Sequence, residues 1–293
     1  MNDDTAPVEN EDVQTVETPT TPAEAEPVVA PPAVKKPSGL SGKITLAAGA
    51  GSVLVALLSG LGTGWGLWEF QTGFKGLFIA AGLAAFALIL GFVVGWLQRR
   101  RGVAGPKALR WLGMAFAAVL LFWLLSFVYT ARTVPAIHDI STDLADPPHF
   151  TTLTVRADNL DQIPGKEDPT MQAMTPVQRW TRIHQDEYGD IRSVRINRPV
   201  AEVIEKAGRL AETRGWDIAL IEPEQGRLEA TETSRFFGFK DDVVIRVRPT
   251  EDATGSIVDM RSISRVGMSD LGVNAKRVRS FLADLSGTVS AAR

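Results

Sequence analysis

A group of charged and amide side chains in the C-terminal part of the chain has the residue types of an anion-binding site. Its six members are Asp242, Arg261, Arg265, Asp270, Asn274 and Arg277. Arginine binds carboxylate and phosphate groups through its planar fork of N–H donors, and the free amides at the start of a helix attract anions. We therefore predict a binding site for a small anionic ligand or for a partner protein. The alternative is a polar network satisfied internally, which is the commoner arrangement of buried polar groups.

Two predicted strands, residues 241–249 and 256–266, have to position several of these side chains. Side chains alternate across a strand, so one face of the pair is expected to carry Arg246, Arg248, Arg261, Arg265, Asp242 and Asp259. Ion pairs on a solvent-exposed sheet face explain this composition, at about 0.2–1 kcal/mol per pair. An anion-binding surface is the functional alternative.

The stretch 264–282 predicts the helix that closes the chain. Its apolar stripe consists of Leu271, Val278, Phe281, Leu282 and Leu285. Asn274 lies on the same stripe, so we expect its amide to be buried. A buried amide needs hydrogen-bond partners, and the preceding strand end offers Ser262, Ser264 and Arg265.

The remaining pattern of the C-terminal half predicts an α+β domain over residues 171–293. A helix from about Thr175, a short strand and a second helix that Gly215 ends come first. Two strand pairs follow, closed by the turns "PEQG" and "TEDATG", and then the final helix, which Ser269 or Asp270 should cap. This order is typical of an antiparallel sheet with helices packed on one face.

Three uncharged stretches in the N-terminal half predict transmembrane helices. They cover residues 44–68, 76–98 and 111–131, each longer than the roughly 20 residues that cross a bilayer core. We assign residues 43–132 to a membrane anchor. Spaced glycines such as Gly60 and Gly64 allow close helix packing, within the anchor or between copies of the chain. Because no ionisable side chain lies in mid-span, a channel or a pump is disfavoured.

Basic residues next to the spans predict the orientation of the anchor. Eight of them lie before the first span and in the second loop: Lys35, Lys36, Lys43, Arg99, Arg100, Arg101, Lys107 and Arg110. On the other side there are two, Lys75 and Arg132. Basic flanks stay in the cytoplasm, so we expect the N-terminus and the second loop there and the α+β domain on the opposite side of the membrane.

Residues 1–42 are predicted to form a disordered, acidic, proline-rich cytoplasmic tail. Residues 1–34 contain eight carboxylates and neither lysine nor arginine, so they have little to bury and repel one another. Recruitment of a cytoplasmic partner by this tail would make the protein a structural scaffold, which is one alternative function. The net charge of -3 gives no reason to expect nucleic acid as a partner.

The segment between the last span and the domain, residues 133–170, is predicted to be an extended juxtamembrane collar. It contains weak candidates for ligands of a divalent metal, namely His138, Asp139 and His149. No helical or strand spacing brings them to one face. We therefore interpret the segment as a solvated linker and expect no metal or other cofactor.

An enzyme, of hydrolase or metal-dependent type, is the alternative functional class. The absence of cysteine from the sequence excludes thiolate catalysis and disulfides, and the motifs GxSxG, HExxH and SxxK do not occur. His184 lies in the predicted domain beside Asp186 and Glu187, and we interpret it as part of a solvated helix face. The sequence thus favours a non-catalytic module.

The C-terminal strands and helix also carry a family resemblance. "GFKDDVVIRVRP" followed by "MRSISRVGMSDLGVNAKRVRSFLADL" resembles the signature of the domain-of-unknown-function 1499 family, and "RGWDIALIEPEQGRLEATETSRFFGF" extends it upstream. The resemblance covers about residues 150–288, and the collar resembles that of membrane-anchored bacterial members. It implies an envelope protein with no established activity and provides no catalytic residues. With the predicted orientation it implies an inner-membrane anchor, a periplasmic domain, and an envelope protein or a second copy of the chain as partner.

Overall fold

The computed structural model of the chain describes residues 39–102 and 107–287. The acidic tail predicted for residues 1–42 therefore lies outside the described residues, apart from positions 39–42, where the first helix begins.

Long apolar helices form the N-terminal half, as predicted: α1 (Leu40–Gly64), α2 (Phe70–Arg100) and α3 (Ala108–Thr133). With 25, 31 and 26 residues, each is long and apolar enough to cross a membrane. Small side chains such as Ala84 face the inside of the bundle, whereas Phe78 and Phe122 are 78% exposed. A Cβ on Gly49 of α1 would lie 2.0 Å from the carbonyl oxygen of Gly113 in α3, so these helices touch through their backbones. Small residues inside and large apolar ones outside are typical of helices in lipid.

The C-terminal half is an α+β domain, and the predicted fold class is confirmed. Its strands are β1 (Asp139–Ser141), β2 (Val194–Ile196), β3 (Asp217–Glu222), β4 (Arg227–Thr233), β5 (Lys240–Pro249) and β6 (Ser256–Ser264). Its helices are α4 (Pro176–Tyr188), α5 (Val200–Thr213) and α6 (Val273–Ser286). The sheet is antiparallel with strand order β1-β6-β5-β4-β3, and β2 pairs with the far end of β6. Helices α5 and α6 pack on the same face.

Local signals in the sequence set the helix ends, and apolar packing holds the helices on the sheet. Thr175 caps α4 through a reciprocal capping box with Gln178. Gly215, with φ of 76°, follows α5 in the left-handed conformation that ends a helix. The next residue, Trp216, stacks on Phe281 of α6 with ring centroids 4.9 Å apart. Beneath them the core of both helices and the central strands is fully buried.

The collar, residues 133–170, contributes to the sheet, which the sequence analysis did not predict. It contains β1, which pairs with residues 261–263 of β6. The chain then crosses the sheet face opposite α5 and α6, where the Glu229 carboxylate accepts hydrogen bonds from the backbone amides of residues 151, 152 and 153 at 2.6, 3.0 and 2.8 Å. The interpretation of this face as solvent-exposed is therefore wrong, because the collar covers its centre.

The connection between β4 and β5, residues 234–239, lies against the membrane helices, and we call it the aromatic loop. Its Phe236 ring occupies the space beside Gly60 of α1, where a Cβ would lie 2.3 Å from the ring, and its backbone lies against Gly64. The other two phenylalanines of the loop contact aromatic rings of α2. The spaced glycines of α1 thus face this loop, and the domain is joined to the anchor both covalently after α3 and through the loop.

Candidate functional site

The six predicted site residues lie on two faces of the sheet and do not form one site. On the face covered by α6 are Asp270, Asn274 and Arg277. On the face covered by the collar are Asp242, Arg261 and Arg265. Neighbouring residues of a strand point to opposite faces, so Asp242 belongs to the collar side, and its neighbour Asp241 belongs to the α6 side.

Arg277 is the centre of a buried polar network on the α6 side. Its guanidinium donates to the Asp241 carboxylate at 2.6 Å and to the Ser262 hydroxyl at 3.0 Å, and it also donates to Glu232 and to the side-chain oxygen of Asn274. As whole residues, Arg277 and Asp241 are only 6% and 7% exposed. Every nitrogen of this guanidinium has an acceptor within the protein, so the network is complete without a ligand.

The predicted burial of Asn274 is confirmed, together with two of its predicted partners. The Ser262 hydroxyl donates to Asn274 Oδ1 at 2.6 Å, and Asn274 Nδ2 donates to the Ser264 hydroxyl and to the His138 carbonyl, both at 2.9 Å. The prediction that Arg265 is also a partner is wrong, because that side chain lies on the collar side. Asn274 therefore ties α6, β6 and the collar together.

Asp270 accepts hydrogen bonds from free amides at the start of α6, but the prediction that it or Ser269 is the N-cap residue is wrong. Its carboxylate accepts from the backbone amides of Gly272 and Asn274 at 2.8 and 2.6 Å. The N-cap position itself is Gly272, whose φ of 81° suits glycine, while Ser269 accepts only from the amide of Leu271. Burial raises the pKa of Asp270, and the two hydrogen bonds offset this only in part. An anion approaching this helix start would meet a carboxylate already in place.

Arg261 holds the beginning of the collar on the opposite face. It forms a bidentate ion pair with the fully buried Asp139, with N···O distances of 2.9 and 2.7 Å. Asn159 donates to the same carboxylate at 2.6 Å, and its side-chain oxygen lies 3.1 Å from Nε2 of His138. These contacts join two distant parts of the collar to β6.

The metal candidates of the collar are therefore not a solvated cluster. His138 and Asp139 are 3% and 0% exposed and bind protein groups, so their interpretation as linker residues is wrong. His149 lies apart from them, exposed, with Asp146 at 3.9 Å. Among residues 39–102 and 107–287, no group of three or more histidine or acidic side chains has a metal-binding arrangement.

The arginine-rich sheet face is present as predicted, but it binds the collar. The fully buried Asp259 carboxylate accepts from Arg246 at 3.1 Å and from Arg248 at 2.8 Å. Arg246 also donates to Asp143 and Asp146 at 3.1 and 2.7 Å. The two aspartates belong to the collar, so ion pairs of this face hold that segment in position.

Glu229 is a further buried carboxylate that the sequence analysis missed. Burial alone would raise its pKa, but hydrogen bonds from the amide of Leu153 and from the hydroxyl and amide of Thr151 outweigh this effect and lower the pKa. A carboxylate that accepts several backbone N–H bonds is stabilised in its charged form. Glu229 is thus a fixed negative anchor for the collar.

Arg265 is the site residue that remains open to solvent. It forms a bidentate pair with Asp242, both N···O distances being 2.8 Å, and its Nη2 also donates to Thr231 at 3.1 Å. Its side chain is 41% exposed, against 12% for Arg261 and 5% for Arg277. Within the part of the chain that the structure describes, Nη1 of Arg265 has no hydrogen-bond acceptor.

A shallow depression lies beside Arg265 and is lined additionally by Phe150, Thr154, Val155, Arg156 and Ile263. A second guanidinium therefore borders it. Arg156 donates to both carboxylate oxygens of Asp158, at 2.7 and 2.6 Å, and to the carbonyl of Gly267 at 2.7 Å. The hydrogen bonds from Arg156 lower the pKa of Asp158 to about 2.

His184 is a core residue and not part of a solvated helix face, which corrects the prediction from sequence. It is 1% exposed, its Nε2 accepts the backbone amide of Ser141 at 3.2 Å, and its ring lies 5.7 Å from those of Trp180 and Tyr188. Burial lowers its pKa. Three aromatic side chains at spacings of four residues share one helix face, and this spacing was the signal that could have revealed its burial.

Comparison with known proteins gives one family. A model described as "Protein of unknown function (DUF1499)" matches residues 139–285. The matched region begins at β1 and ends in α6, so it contains most of the collar and all the strands of the sheet. None of the curated proteins matches the chain.

Proposed function

Because this chain belongs to DUF1499, a family of proteins of unknown function, we propose its role from its geometry. The chain is an inner-membrane protein whose periplasmic α+β domain is a non-catalytic binding module. It binds a carboxylate or phosphate group in the depression beside Arg265. The group is carried by a small anionic ligand or by a partner protein of the envelope.

The observation that carries this proposal is the free edge of Arg265. The pair with Asp242 fixes the plane of the guanidinium, and its unpaired Nη1 is then available to an anion. Arg156 borders the same depression, and Phe150 and Ile263 provide apolar walls. Arg261 and Arg277 have no free guanidinium edge of this kind, because their N–H groups are buried and already donate to acceptors within the protein.

The same contacts support a binding role over catalysis. A general base must reach its substrate. His184 does not meet this requirement, because it is buried in the core and its Nε2 accepts a hydrogen bond from a backbone amide. The buried carboxylates Asp139, Asp259 and Glu229 are bound by arginines or amides. Groups held in this way stabilise the fold and keep the collar in position.

The membrane location rests on the three apolar helices. The side on which the domain lies rests on the distribution of basic residues, eight near one end of the anchor and two near the other. An envelope ligand or partner follows from this orientation.

Native mass spectrometry of the intact chain, released gently from bacterial membranes, tests the binding role. We expect an anionic adduct on the wild type whose occupancy falls about tenfold in Arg265→Gln, since one charge-assisted hydrogen bond contributes about 1.5–3 kcal/mol. Arg265 is 41% exposed, but its partner Asp242 is only 6% exposed, so the substitution should lower the melting temperature moderately, and adduct occupancy is compared on the folded protein.

Arg209→Gln is the matched control for this experiment. Arg209 is also an exposed arginine with one carboxylate partner, Glu205 at 3.7 Å on α5, far in sequence from the depression. The control should keep the adduct. Equal adduct occupancy in both variants would contradict the proposal, and a collapse of the melting temperature in Arg265→Gln would show that the residue is architectural.

A further inference from the structure

The end of the anchor where α2 stops and α3 starts carries unbalanced positive charge. The basic residues there are Arg99, Arg100, Arg101, Lys107 and Arg110. The membrane segments 40–102 and 107–133 contain one carboxylate, Glu69, which lies at the opposite end between α1 and α2. All salt bridges among the described residues involve positions from 139 onward. Nothing in the described protein therefore neutralises this cluster.

Arg110 differs from the other members because it is buried. It is 7% exposed, and its only hydrogen bond with the described residues runs from Nη1 to the side-chain oxygen of Gln98 at 2.9 Å. Its Nε is buried without an acceptor. Gly95 of α2 provides the space, since a Cβ there would lie 3.1 Å from Arg110 Nη1. A guanidinium enclosed in this way without a counter-charge is costly unless an anion reaches it.

The length of the uncharged part of α3 puts Arg110 at the level expected for lipid phosphates when this helix crosses a bilayer. Residues 111–131 carry no charge, and at about 1.5 Å per residue they cover about the 30 Å of a hydrocarbon core. Arg110 directly precedes this stretch. Exposed tryptophans directly follow Arg110 (Trp111) and its contact Gly95 (Trp96), and indole rings mark the membrane interface. Arg100 covers the Trp96 ring at 4.1 Å.

The start of α3 adds a second attraction for an anion. Its N-cap, Lys107, makes no side-chain hydrogen bond to the helix, and no acidic residue occurs in the first turn. The first amides of a helix and its dipole favour a negative group. They lie within one turn of the Arg110 backbone, at the same end of α3 from which the buried guanidinium reaches toward Gln98 of α2.

We propose that Arg110 and the start of α3 bind a phosphate group, and that its source is the headgroup of an anionic phospholipid. The site is independent of the Arg265 depression and lies at the other end of the anchor. Basic pockets between membrane helices bind anionic headgroups by this combination of charge and N–H donors.

Lipid retention by the full chain in detergent tests this site. The protein is exchanged into a mixture of phosphatidylglycerol and phosphatidylcholine, and bound lipids are counted by native mass spectrometry. We expect the wild type to retain phosphatidylglycerol selectively, and Arg110→Gln to retain about tenfold less, as the loss of a charge-assisted hydrogen bond implies. The control Arg100→Gln, which removes an exposed charge of the same cluster, should retain most of it.

Gln98→Leu keeps the test decisive if Arg110→Gln does not fold. It removes the protein acceptor of Arg110, and we expect undiminished retention of phosphatidylglycerol. Loss of the lipid in Gln98→Leu would overturn the proposal, as would equal retention in Arg110→Gln and Arg100→Gln, or no preference over phosphatidylcholine. Millimolar inorganic phosphate is added as a competitor. If it displaces the lipid in the wild type but not in Arg110→Gln, the site binds phosphate as proposed, but its ligand is free phosphate and not a lipid headgroup.

Discussion

Arg277→Met is expected to destabilise the α+β domain by about 3–5 kcal/mol, the usual cost of removing one partner of a buried ion pair. Asp241 would lose its ion-pair partner at 7% exposure, and the Ser262–Asn274 pair would lose a donor. Methionine fills a similar volume, so the change tests charge and hydrogen bonding more than packing. Native-state hydrogen exchange of the α6 amides in the full chain measures the loss.

Arg279→Met is the matched control, since Arg279 lies on the same helix but is 41% exposed and pairs with Asp190, which is 60% exposed. Its replacement should cost within about 0.5 kcal/mol. Equally large effects of the two substitutions would contradict the structural role of the network. A small effect of both would mean that the network does not stabilise the domain, and Arg277 would again be a candidate ligand-binding residue.

Gly60→Val is expected to release the aromatic loop from the membrane helices. A Cβ at this position would lie 2.3 Å from the Phe236 ring, and that ring also packs edge to face on Trp123, with centroids 5.9 Å apart. Overpacking of this kind costs about 1–3 kcal/mol. The amides of Ser234 and Gly238, which are hydrogen-bonded within the loop, should therefore exchange about 10- to 100-fold faster.

Gly51→Val provides the control for this second prediction. Gly51 lies on the same helix, and a Cβ there would meet nothing within 4 Å. Both substitutions have the same intrinsic effect on the helix. The difference between their loop exchange rates therefore measures the effect of the clash with Phe236. If loop exchange is unchanged in both variants, the loop does not attach the domain to the anchor.

Composition and periodicity predicted the parts of this fold that depend on local sequence. Uncharged stretches of sufficient length predicted the three helices that are long and apolar enough to cross a membrane. The two-residue period of a strand predicted which side chains share a face of β5 and β6, and the register confirms it, with Arg246 opposite Asp259. The stripe of α6 predicted the burial of Asn274.

The sequence did not reveal what covers each face of the sheet. The strand β1 has three residues, too few for a periodic signal. Because its presence and the path of the collar depend on contacts more than 100 residues away in sequence, such as Arg261 with Asp139, local patterns do not contain them. The face of Arg246 and Arg248 was therefore expected to be solvent-exposed.

The candidate site was predicted as a set of residue types but not as a location. Asp242 lies next to Asp241, the ion-pair partner of Arg277, and the chemistry of Asp242 and Arg277 suggested one site. The alternation of strand residues puts them on opposite faces, and the deciding partners, such as Thr231 for Arg265, depend on the register of β4 with β5. The aromatic loop was missed for a similar reason, since nothing local links Phe236 to Gly60.

Cysteine labelling in intact cells tests the transmembrane arrangement on which the proposed function depends. The chain has no cysteine, so a single substitution reports one position. Glu251→Cys lies in the exposed turn between β5 and β6, and Arg101→Cys lies in the exposed loop after α2. When a membrane-impermeant maleimide reaches the periplasm, we expect Glu251→Cys to be labelled at once and Arg101→Cys only after lysis. Labelling of Arg101→Cys in intact cells, with Glu251→Cys protected until lysis, would contradict a periplasmic domain and with it an envelope ligand for Arg265.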